Sequence, residues 1–475
     1  MTASSDLIAL RARDVVTLLK RGDVSPHELL DALETRIAEV EPAVNALPIL
    51  CFDRARKAAD ELMRRPIDER GLLAGIPLPI KDLTDVAGVR STRGSLIFAD
   101  TRPERSDILV EHLEAEGALI YAKSNTPEFG AGGQTFNEVF GATRNPWDLS
   151  RTTAGSSGGA AAALASGTAW LAHGSDMGGS LRNPASFCGV VGLRPSPGRI
   201  AFTPGAIIDD TLSVEGPMAR DVEDLALLLD AMTGSSPEDP RSRPRPATSF
   251  LDAARSRKAP RRIAFSADLG ITPVDPEVAE TCRRAAHRFG EAGVVVEEAH
   301  PDLSEAHECF QVLRARNFVT GLGALYDSHR NLLKPDVVWN IEQGLRLTTR
   351  DIARAEAQRA AMFNRMAAFF GDYDLLLCPA TIVAAFPIEQ RYLAECAGQA
   401  LNTYIDWLAI AYAITLVSSP AISIPAGFTA AGLPVGLQLV APAHAEAALL
   451  SAAALLEDHL ALGQITPITP RQPSS

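Results

Sequence analysis

Two glycine-serine clusters joined by an alanine-rich segment occupy residues 152–184 and restrict the possible folds more than any other feature. Ser156 and Ser157 lie in the first cluster, and Ser180 follows two glycines in the second. Glycine at this density allows tight turns and close approach of the backbone. A flexible linker has a similar composition, but the joining segment 158–171 is almost free of polar side chains and ends in tryptophan and leucine. It therefore predicts a tightly packed, buried helix.

Length and composition are those of an ordinary globular protein with a large core. Of 475 residues, 46% are apolar and 22% are charged, as in typical soluble domains. The net charge of −13 argues against broad nucleic-acid binding, which needs a basic surface. The six cysteines are scattered and form no CxxC pair. They predict reduced thiols in a cytoplasmic protein, without a metal site.

No stretch of the chain predicts a membrane anchor. The N-terminal MTASSDLIALRARD has an early acidic residue and no long apolar core, so it does not resemble a secretory signal. Residues 407–443 contain no Asp, Glu, Lys or Arg, but prolines and glycines interrupt them from Pro420 onward. A spanning helix needs about 20 predominantly apolar residues in a row. We expect buried strands joined by turns in this region instead.

Alternating helix and strand patterns favour an α/β architecture. Residues 263–298 read as strand, helix and strand, which is typical of a βαβ unit. Residues 235–262 are rich in proline, serine and arginine, which predicts a surface crossing between two halves of the fold. We expect one domain over residues 1–475. Its expected parts are N-terminal helices within 5–65, a core over 72–232, the crossing at 235–262 and a C-terminal half over 263–470.

Lys81 follows a short apolar run, 72–80, that contains two prolines. Because proline is tolerated on edge strands, this run predicts an edge strand or a strand that enters a turn. A lysine at such a position usually marks only the point where a strand leaves the core. Burial there would lower its pKa from about 10.4 towards neutrality.

Three kinds of chemistry fit these motifs. Residues 155–159 match the G-x-S-x-G turn of α/β-hydrolases, with Ser157 as nucleophile; that scheme also needs an acid and a histidine. The histidine candidates, none in a recognisable setting, are His300, His329 and His444. A second scheme pairs a serine with neutral Lys81. A helix that starts near Ser157 would also lower the pKa of this lysine through the positive end of its dipole. A phosphate-binding glycine loop is least favoured, because neither a Walker motif nor a G-x-G-x-x-G after a strand occurs. Spacing alone leaves the two serine schemes open.

Seven blocks, in order along nearly the whole chain, resemble the amidase signature family. The longest, AGSSGGAAAALASGTAWLAHGSDMGGSLRNPASFCGVVGLRPSPGRI, begins at Ala154 and resembles the signature itself. The others are GIPLPIKD, AKSNTPEFG, GATRNPWD, GPMARDVEDLALLLDAM, YDLLLCPAT and SPAISIPAGFTAAGLPVGLQLVAP. Ala154 and Ser175 replace a glycine and a threonine that are frequent in the family, and neither change removes a catalytic group.

The resemblance implies a Ser-cisSer-Lys triad. Lys81 matches the base, Ser156 the bridging serine with a cis peptide bond, and Ser180 the nucleophile. Neutral Lys81 would take the Ser180 proton through Ser156, and Ser180 would form an acyl-enzyme that water releases. The other implied roles are an oxyanion hole from the amides of Met177, Gly178, Gly179 and Ser180, support from Ser157, Asp176 and Arg182, and substrate walls at 130–134 (with Gly130, Gly132 and Gly133), 203–212 and 310–345 (with Trp339).

The same resemblance implies one large α/β domain with a mixed central sheet and helices on both faces. It implies an amidase without metal or organic cofactor, acting on a small-molecule amide. We expect neutral hydrophobic or aryl amides, with ester and carbamate side activities. We expect no nucleic-acid or membrane partner, and a homodimer stays open. Some family members are glutamine-hydrolysing components of tRNA-dependent amidotransferases, which is the main alternative.

Overall fold

A mixed eight-stranded sheet with helices on both faces forms the centre of the fold, as the family resemblance implies. The computed structural model describes residues 4–472, so the first three residues of the N-terminal segment and the last three of the expected domain lie outside the described residues. The described helices are α1 (Ser4–Ala9), α2 (Ala12–Arg21), α3 (Pro26–Val44), α4 (Phe52–Met63), α5 (Ile108–Ala115), α6 (Gly158–Ser166), α7 (Arg182–Cys188), α8 (Val222–Met232), α9 (Phe250–Ser256), α10 (Pro276–His287), α11 (Ala306–His329), α12 (Pro335–Leu345), α13 (Thr349–Phe369), α14 (Ala409–Leu416) and α15 (Glu446–Leu460).

The described strands form this sheet, a three-stranded sheet and three short hairpins. They are β1 (Ile49–Leu50), β2 (Pro77–Lys81), β3 (Leu119–Ser124), β4 (Phe136–Asn137), β5 (Gly141–Ala142), β6 (Arg144–Asn145), β7 (Asp148–Thr152), β8 (Leu171–Asp176), β9 (Val191–Arg194), β10 (Val214–Ala219), β11 (Arg262–Phe265), β12 (Val295–Glu298), β13 (Leu375–Pro379), β14 (Glu395–Cys396), β15 (Gln399–Ala400), β16 (Ala421–Phe428) and β17 (Pro434–Val440).

The large sheet has the order β12-β11-β13-β17-β16-β9-β10-β8. Its β11 runs parallel to both β12 and β13, and every later pair is antiparallel. The predicted βαβ unit is therefore confirmed as β11, α10 and β12. The strands β8 and β10 lie at the other edge, and the sequence patterns did not predict either of them.

The three-stranded sheet, β1-β3-β2, holds Lys81 beside that edge. Among the described strands, β2 pairs with β3 alone, so its prolines remove no needed ladder bond, as predicted for an edge strand. The backbone N–H of Lys81 donates to Nδ1 of His173 in β8, at 3.3 Å. This contact links the small sheet to the edge of the large one.

Helix α6 passes through the middle of the core, and all nine of its residues are buried. The predicted helix over 158–171 is shorter than expected because Gly167 ends it in the left-handed conformation, with φ of 79°. A Cβ on Gly159 would lie 2.4 Å from the backbone nitrogen of Asn125, so the helix packs closer to its neighbours than any larger residue would allow. Gly167 leaves only a short turn before β8 begins at Leu171.

Three other segments differ from the sequence predictions. Residues 5–20 form two helices rather than one. The apolar stretch 407–443 contains the predicted strands β16 and β17, but the buried helix α14 precedes them. The surface crossing 235–262 includes α9, because Phe250 and Ala254 are buried against the main core. Within residues 4–472, no helix is both long and apolar enough to cross a membrane.

Candidate active site

The amine of Lys81 lies at the centre of a group of serine hydroxyls. Its Nζ is 2.7 Å from Oγ of Ser156, 2.8 Å from Oγ of Ser157 and 2.9 Å from Oγ of Ser175. The lysine side chain has no exposed surface. It reaches this position because β2 ends beside the N-terminus of α6, where Ser157 is the N-cap residue.

Among the described residues, no carboxylate lies within 4.0 Å of the Lys81 amine. Burial therefore lowers the pKa of Lys81 from 10.5 to about 7, although the more distant charges of Glu215 and Asp176 oppose the shift. His173 lies between Lys81 and Glu215: its Nδ1 accepts the Lys81 backbone N–H, and its Nε2 is 2.6 Å from a Glu215 oxygen. Lysine at this position is ready to lose its proton near neutral pH.

The first serine cluster approaches the lysine through a tight turn. The peptide bond between Gly155 and Ser156 is cis, as the resemblance implies for the bridging serine. Gly130 closes over this turn with φ of 72°, and a Cβ there would lie 3.4 Å from Oγ of Ser156. Ser157 has no exposed surface, and its hydroxyl donates to the carbonyl oxygen of Ser175 at 3.2 Å.

The second cluster brings Ser180 to the same place. Ser156 and Ser180 line one cavity, and the N–H of Ser157 donates to the carbonyl oxygen of Ser180 at 3.2 Å. Ser180 precedes α7 and is partly exposed, whereas Ser156 is almost fully buried. Residues 24 positions apart in sequence therefore line the same cavity.

Asp176 organises the backbone of the second cluster. Its carboxylate accepts from the N–H of Leu181 at 3.1 Å and from Nε and Nη2 of Arg182 at 3.0 and 2.9 Å. Burial alone would raise the pKa of Asp176, but the guanidinium groups of Arg182 and Arg194 hold it well below its usual range. Both arginines are fully buried. Asp176 and Arg182 thus form a buried ion pair that holds the backbone of the second cluster.

The backbone amides differ from the predicted oxyanion hole at one residue. The N–H of Gly179 donates to Asp176 at 3.0 Å, so it does not face the cavity. This corrects the expectation for Gly179. Within residues 4–472, the amides of Met177, Gly178 and Ser180 have no protein acceptor, and these three residues line the cavity.

The cavity has a volume of about 120 Å³ and mostly apolar walls. The predicted wall residues Gly130, Gly132 and Gly133 all line it. From the predicted segment 310–345 it is lined by Phe310, Arg314 and Phe318, but not by Trp339, which packs edge-on against Tyr404 instead. None of the predicted segment 203–212 contributes, although the next residue, Ser213, does. The remaining lining residues are Leu83, Phe129, Ser156, Ser175, Asp176, Met177, Gly178, Ser180 and Leu408.

The structure argues against the α/β-hydrolase scheme. Among the described residues, no histidine bonds to Ser157, and the three candidates make other contacts or none. No group of three or more His, Cys, Asp or Glu residues that could hold a metal ion occurs within residues 4–472. All six cysteines are free. A larger cavity of about 230 Å³ elsewhere is lined mainly by charged and apolar residues, and none of its described lining residues is a serine, cysteine, histidine or lysine.

Sequence reasoning missed three contacts of this site. Ser175 was noted only as a departure from the family pattern, yet it contacts the lysine amine directly. The His173–Glu215 pair and the cationic wall residue Arg314 were not considered. Only the position of Ser175, next to the Asp176 motif, offered a signal, since the other residues reach the site from β8, β10 and α11 through the tertiary fold.

Known proteins are similar to this chain over nearly its whole length. Residues 28–450 match the model of the Amidase family. An acylamidase from Rhodococcus erythropolis is 37% identical over 458 residues, covering 94% of this chain and 95% of the relative. A glutamyl-tRNA(Gln) amidotransferase subunit from Moorella thermoacetica is 34% identical over 491 residues, covering 95% and 97%. The crystal structure of a bacterial aryl acylamidase of the amidase signature family superposes with a TM-score of 0.90 at 28% identity, covering 96% and 97%. The chain belongs to the amidase signature family and is an amidase, a hydrolase of amide carbon–nitrogen bonds.

Proposed function

We propose that this amidase acts on hydrophobic and aryl amides of small molecules through a Ser180 acyl-enzyme, with Lys81 and Ser156 as its proton relay. The observation that carries the proposal is the fully buried Lys81 amine, which contacts three serine hydroxyls and has no carboxylate within 4.0 Å among the described residues. A buried amine of this kind is a base at neutral pH.

The hydroxyl directions support a lysine lone pair aimed at Ser156. A neutral amine has two N–H groups and one lone pair. The Ser157 hydroxyl gives its hydrogen to a backbone carbonyl, so its oxygen accepts one N–H of Lys81, and Ser175 accepts the other. The lone pair then faces Ser156 at 2.7 Å. The Ser156 hydroxyl donates to Lys81, and its oxygen takes the proton of Ser180.

The reaction follows from this relay. As the Ser180 proton moves to Ser156 and the Ser156 proton to Lys81, Ser180 Oγ attacks the amide carbonyl. The amides of Met177, Gly178 and Ser180 are the available donors to the oxyanion, and one such donor contributes about 3–4 kcal/mol in other hydrolases. The relay reverses to protonate the leaving amine, and the carbon–nitrogen bond breaks. Water then attacks the acyl-enzyme through the same relay and releases the acid.

The cavity walls support hydrophobic and aryl substrates. Phe129, Phe310 and Phe318 line it beside the serines, so an apolar or aromatic group would contact aromatic side chains there. The similarity to an acylamidase and to an aryl acylamidase agrees with this substrate class. Ester and carbamate side activities are expected, because the acyl-enzyme is shared. We also propose a cytoplasmic location from the reduced thiols, and a homodimer stays a prediction.

The test is labelling with a fluorophosphonate followed by mass spectrometry. We expect the label on Ser180, and we expect Ser180→Ala to lose both the label and anilide hydrolysis while its thermal unfolding stays that of the parent. A label on Ser157 would instead support the α/β-hydrolase scheme. The substrate class is tested by a screen across anilides, aliphatic amides, carbamates and glutamine, in which anilides should be hydrolysed fastest.

A second candidate is glutamine hydrolysis within a tRNA-dependent amidotransferase, because the chain is 34% identical to one component of such an enzyme. A component of that kind would hydrolyse glutamine in a complex. The purified chain should therefore be active alone on anilides if the first proposal holds. Glutaminase activity that appears only with copurified partner proteins would support the second candidate.

A further inference from the structure

Arg314 brings a positive charge into the wall of the substrate cavity. It lies on α11, within the same cavity lining as Ser156 and Ser180. Its exposed fraction is only 6%. An arginine keeps its proton under all ordinary conditions, so a cation is buried a short distance from the reacting serines.

This cation has no close counter-ion in the part of the chain that the structure describes. Among the described residues, no carboxylate lies within 4.0 Å of Arg314. By contrast, Arg316 on the same helix pairs with Glu356 at 2.7 Å. The other buried arginines near the site, Arg182 and Arg194, share Asp176. Burying an unpaired charge is unfavourable, so an anion entering the cavity would gain a partner that the fold does not supply.

The guanidinium group is fixed in position by its neighbours. Its Nη1 donates to the side-chain oxygen of Asn340, whose own amide nitrogen is held by Tyr404 Oη at 2.5 Å and by the Asp336 carbonyl oxygen at 2.6 Å. The group also lies 4.5 Å from the ring centroid of Phe318. Such stacking orients the planar group and limits its motion.

Two of its nitrogens remain for a ligand. Within residues 4–472, neither Nε nor Nη2 makes a close, well-aligned hydrogen bond, although the hydroxyl of Tyr404 lies near the guanidinium group, and neither nitrogen is sealed from solvent. This pair is the side of the fork that binds a carboxylate through two parallel hydrogen bonds. The nearby carboxylate of Asp336 is already engaged by Lys334 at 3.2 Å and by Arg391 at 2.9 Å.

We infer that the preferred substrates, among the hydrophobic and aryl amides proposed above, carry one carboxylate that Arg314 binds through Nε and Nη2. This inference rests on the proposed function and narrows it. The rest of the substrate is apolar and packs on the phenylalanines, while its amide carbonyl faces Ser180. The carboxylate belongs to either the acyl part or the amine part of the amide.

The experiment measures a ratio of kcat/KM values for matched substrates, so that intrinsic reactivity cancels between enzymes. One arm compares 4-acetamidobenzoate with 4-nitroacetanilide, which places the charge on the amine part. The other compares the mono-anilide of glutaric acid with pentananilide, which places it on the acyl part. We expect Arg314→Gln to lower the charged-to-neutral ratio by about 10- to 100-fold in one arm, mainly through KM. The affected arm identifies the carboxylate's position.

Matched variants separate binding from folding. Arg316→Gln removes a guanidinium on the same helix and should leave both ratios unchanged. Arg314→Lys keeps the charge and should restore part of the lost ratio. Unchanged ratios in both arms for Arg314→Gln, or an equal fall for charged and neutral substrates, would overturn the inference.

A binding measurement keeps this inference apart from the proposed function. Calorimetry with benzoate and with glutarate on Ser180→Ala needs no turnover. We expect one of these carboxylates to bind about tenfold more weakly to the double variant Ser180→Ala/Arg314→Gln than to Ser180→Ala. If the two proteins have equal Kd values for benzoate and also for glutarate, carboxylate binding by Arg314 is contradicted. Failure of the fluorophosphonate to label Ser180 would contradict the proposed nucleophile, but it would not affect the measured binding of carboxylates.

Discussion

Two buried lysines on neighbouring strands have different partners. Lys81 ends β2 and Lys123 lies in β3, which runs parallel to it, and both side chains are fully buried. Lys123 forms an ion pair with Asp82 at 3.0 Å and contacts Oγ of Ser91 at 2.8 Å. Lys81 contacts three serine hydroxyls and no carboxylate within 4.0 Å among the described residues. The adjacent residues Lys81 and Asp82 therefore have different contacts: Lys81 contacts the serines of the candidate site, and Asp82 pairs with Lys123.

A carboxylate partner opposes the effect that burial has on the pKa of a lysine. Burial lowers the pKa of both lysines, but the carboxylate of Asp82 opposes the shift at Lys123. At Lys81 the nearest opposing charges are those of Glu215 and Asp176, and its pKa falls to about 7. Hydroxyl partners satisfy the amine without favouring its charged form, because they both donate and accept. One lysine is thus suited to proton transfer and the other to holding the fold.

The largest effect is expected when the proposed base is removed. Lys81→Met keeps the apolar stem and removes the amine. It should lower kcat on an anilide by about 10³- to 10⁵-fold, since the residues of such a relay act as a unit. Steady-state kinetics measure the loss. As a control, thermal unfolding should show a stability equal to or above that of the parent. Near-normal activity would end the lysine-base mechanism.

Changing the other lysine should affect stability instead. Lys123→Met leaves the carboxylate of Asp82 buried without its partner, and breaking such a pair costs about 3–5 kcal/mol. Urea unfolding measures this cost, which corresponds to a large part of a typical domain's stability. The double variant Asp82→Asn/Lys123→Met removes both charges and should recover part of it. A cost below about 1 kcal/mol for Lys123→Met would mean that the pair is not structural.

The sequence suggested which residues form the proposed relay, but it did not predict their surroundings. Family resemblance proposed Lys81, Ser156 and Ser180, and the strand and helix patterns predicted β2 and the β11–α10–β12 unit. Strand β8, with the sequence LAHGSD, was missed because its residues are small or polar and lack the β-branched and aromatic side chains that mark strands. Its position at a sheet edge depends on tertiary pairing with β10.

Contacts between distant segments could not be predicted from the sequence either, because they also depend on tertiary packing. Lys123 is 41 positions from its partner Asp82, and no local pattern distinguishes it from other lysines at strand ends. In the sequence, Arg314 is one of two arginines on α11, and no local pattern separates it from Arg316. Only packing against α12 and α14 turns it into the wall of a cavity. Resemblance transfers the motif residues, but it does not supply partners that come from outside the motifs.

A smaller effect is expected from the third hydroxyl at Lys81. Ser175→Ala leaves one N–H of the amine without its acceptor at 2.9 Å. Loss of one hydrogen bond to such a group costs about 1–2 kcal/mol, so kcat should fall by about 5- to 30-fold. Ser175→Thr keeps the hydroxyl and should retain most of the parent's activity. Equal losses in both variants would show that packing, rather than the hydroxyl, explains the effect.

The smallest effect is a shift in pH dependence from the carboxylate behind His173. The base must be neutral, so kcat/KM should rise as pH increases through about 7 and stay level above it. The negative charge of Glu215 favours the protonated amine, and Glu215→Gln removes this charge while its amide oxygen still accepts from Nε2 of His173. The pKa of Lys81 should therefore fall, and the acidic limb should move to lower pH by up to about one unit, with an unchanged plateau. Glu238→Gln, which alters an exposed ion pair with Arg105, is the matched control and should leave the limb in place. If the acidic limb of Glu215→Gln stays at the same pH or moves to higher pH, the limb does not report a lysine whose pKa is influenced by Glu215.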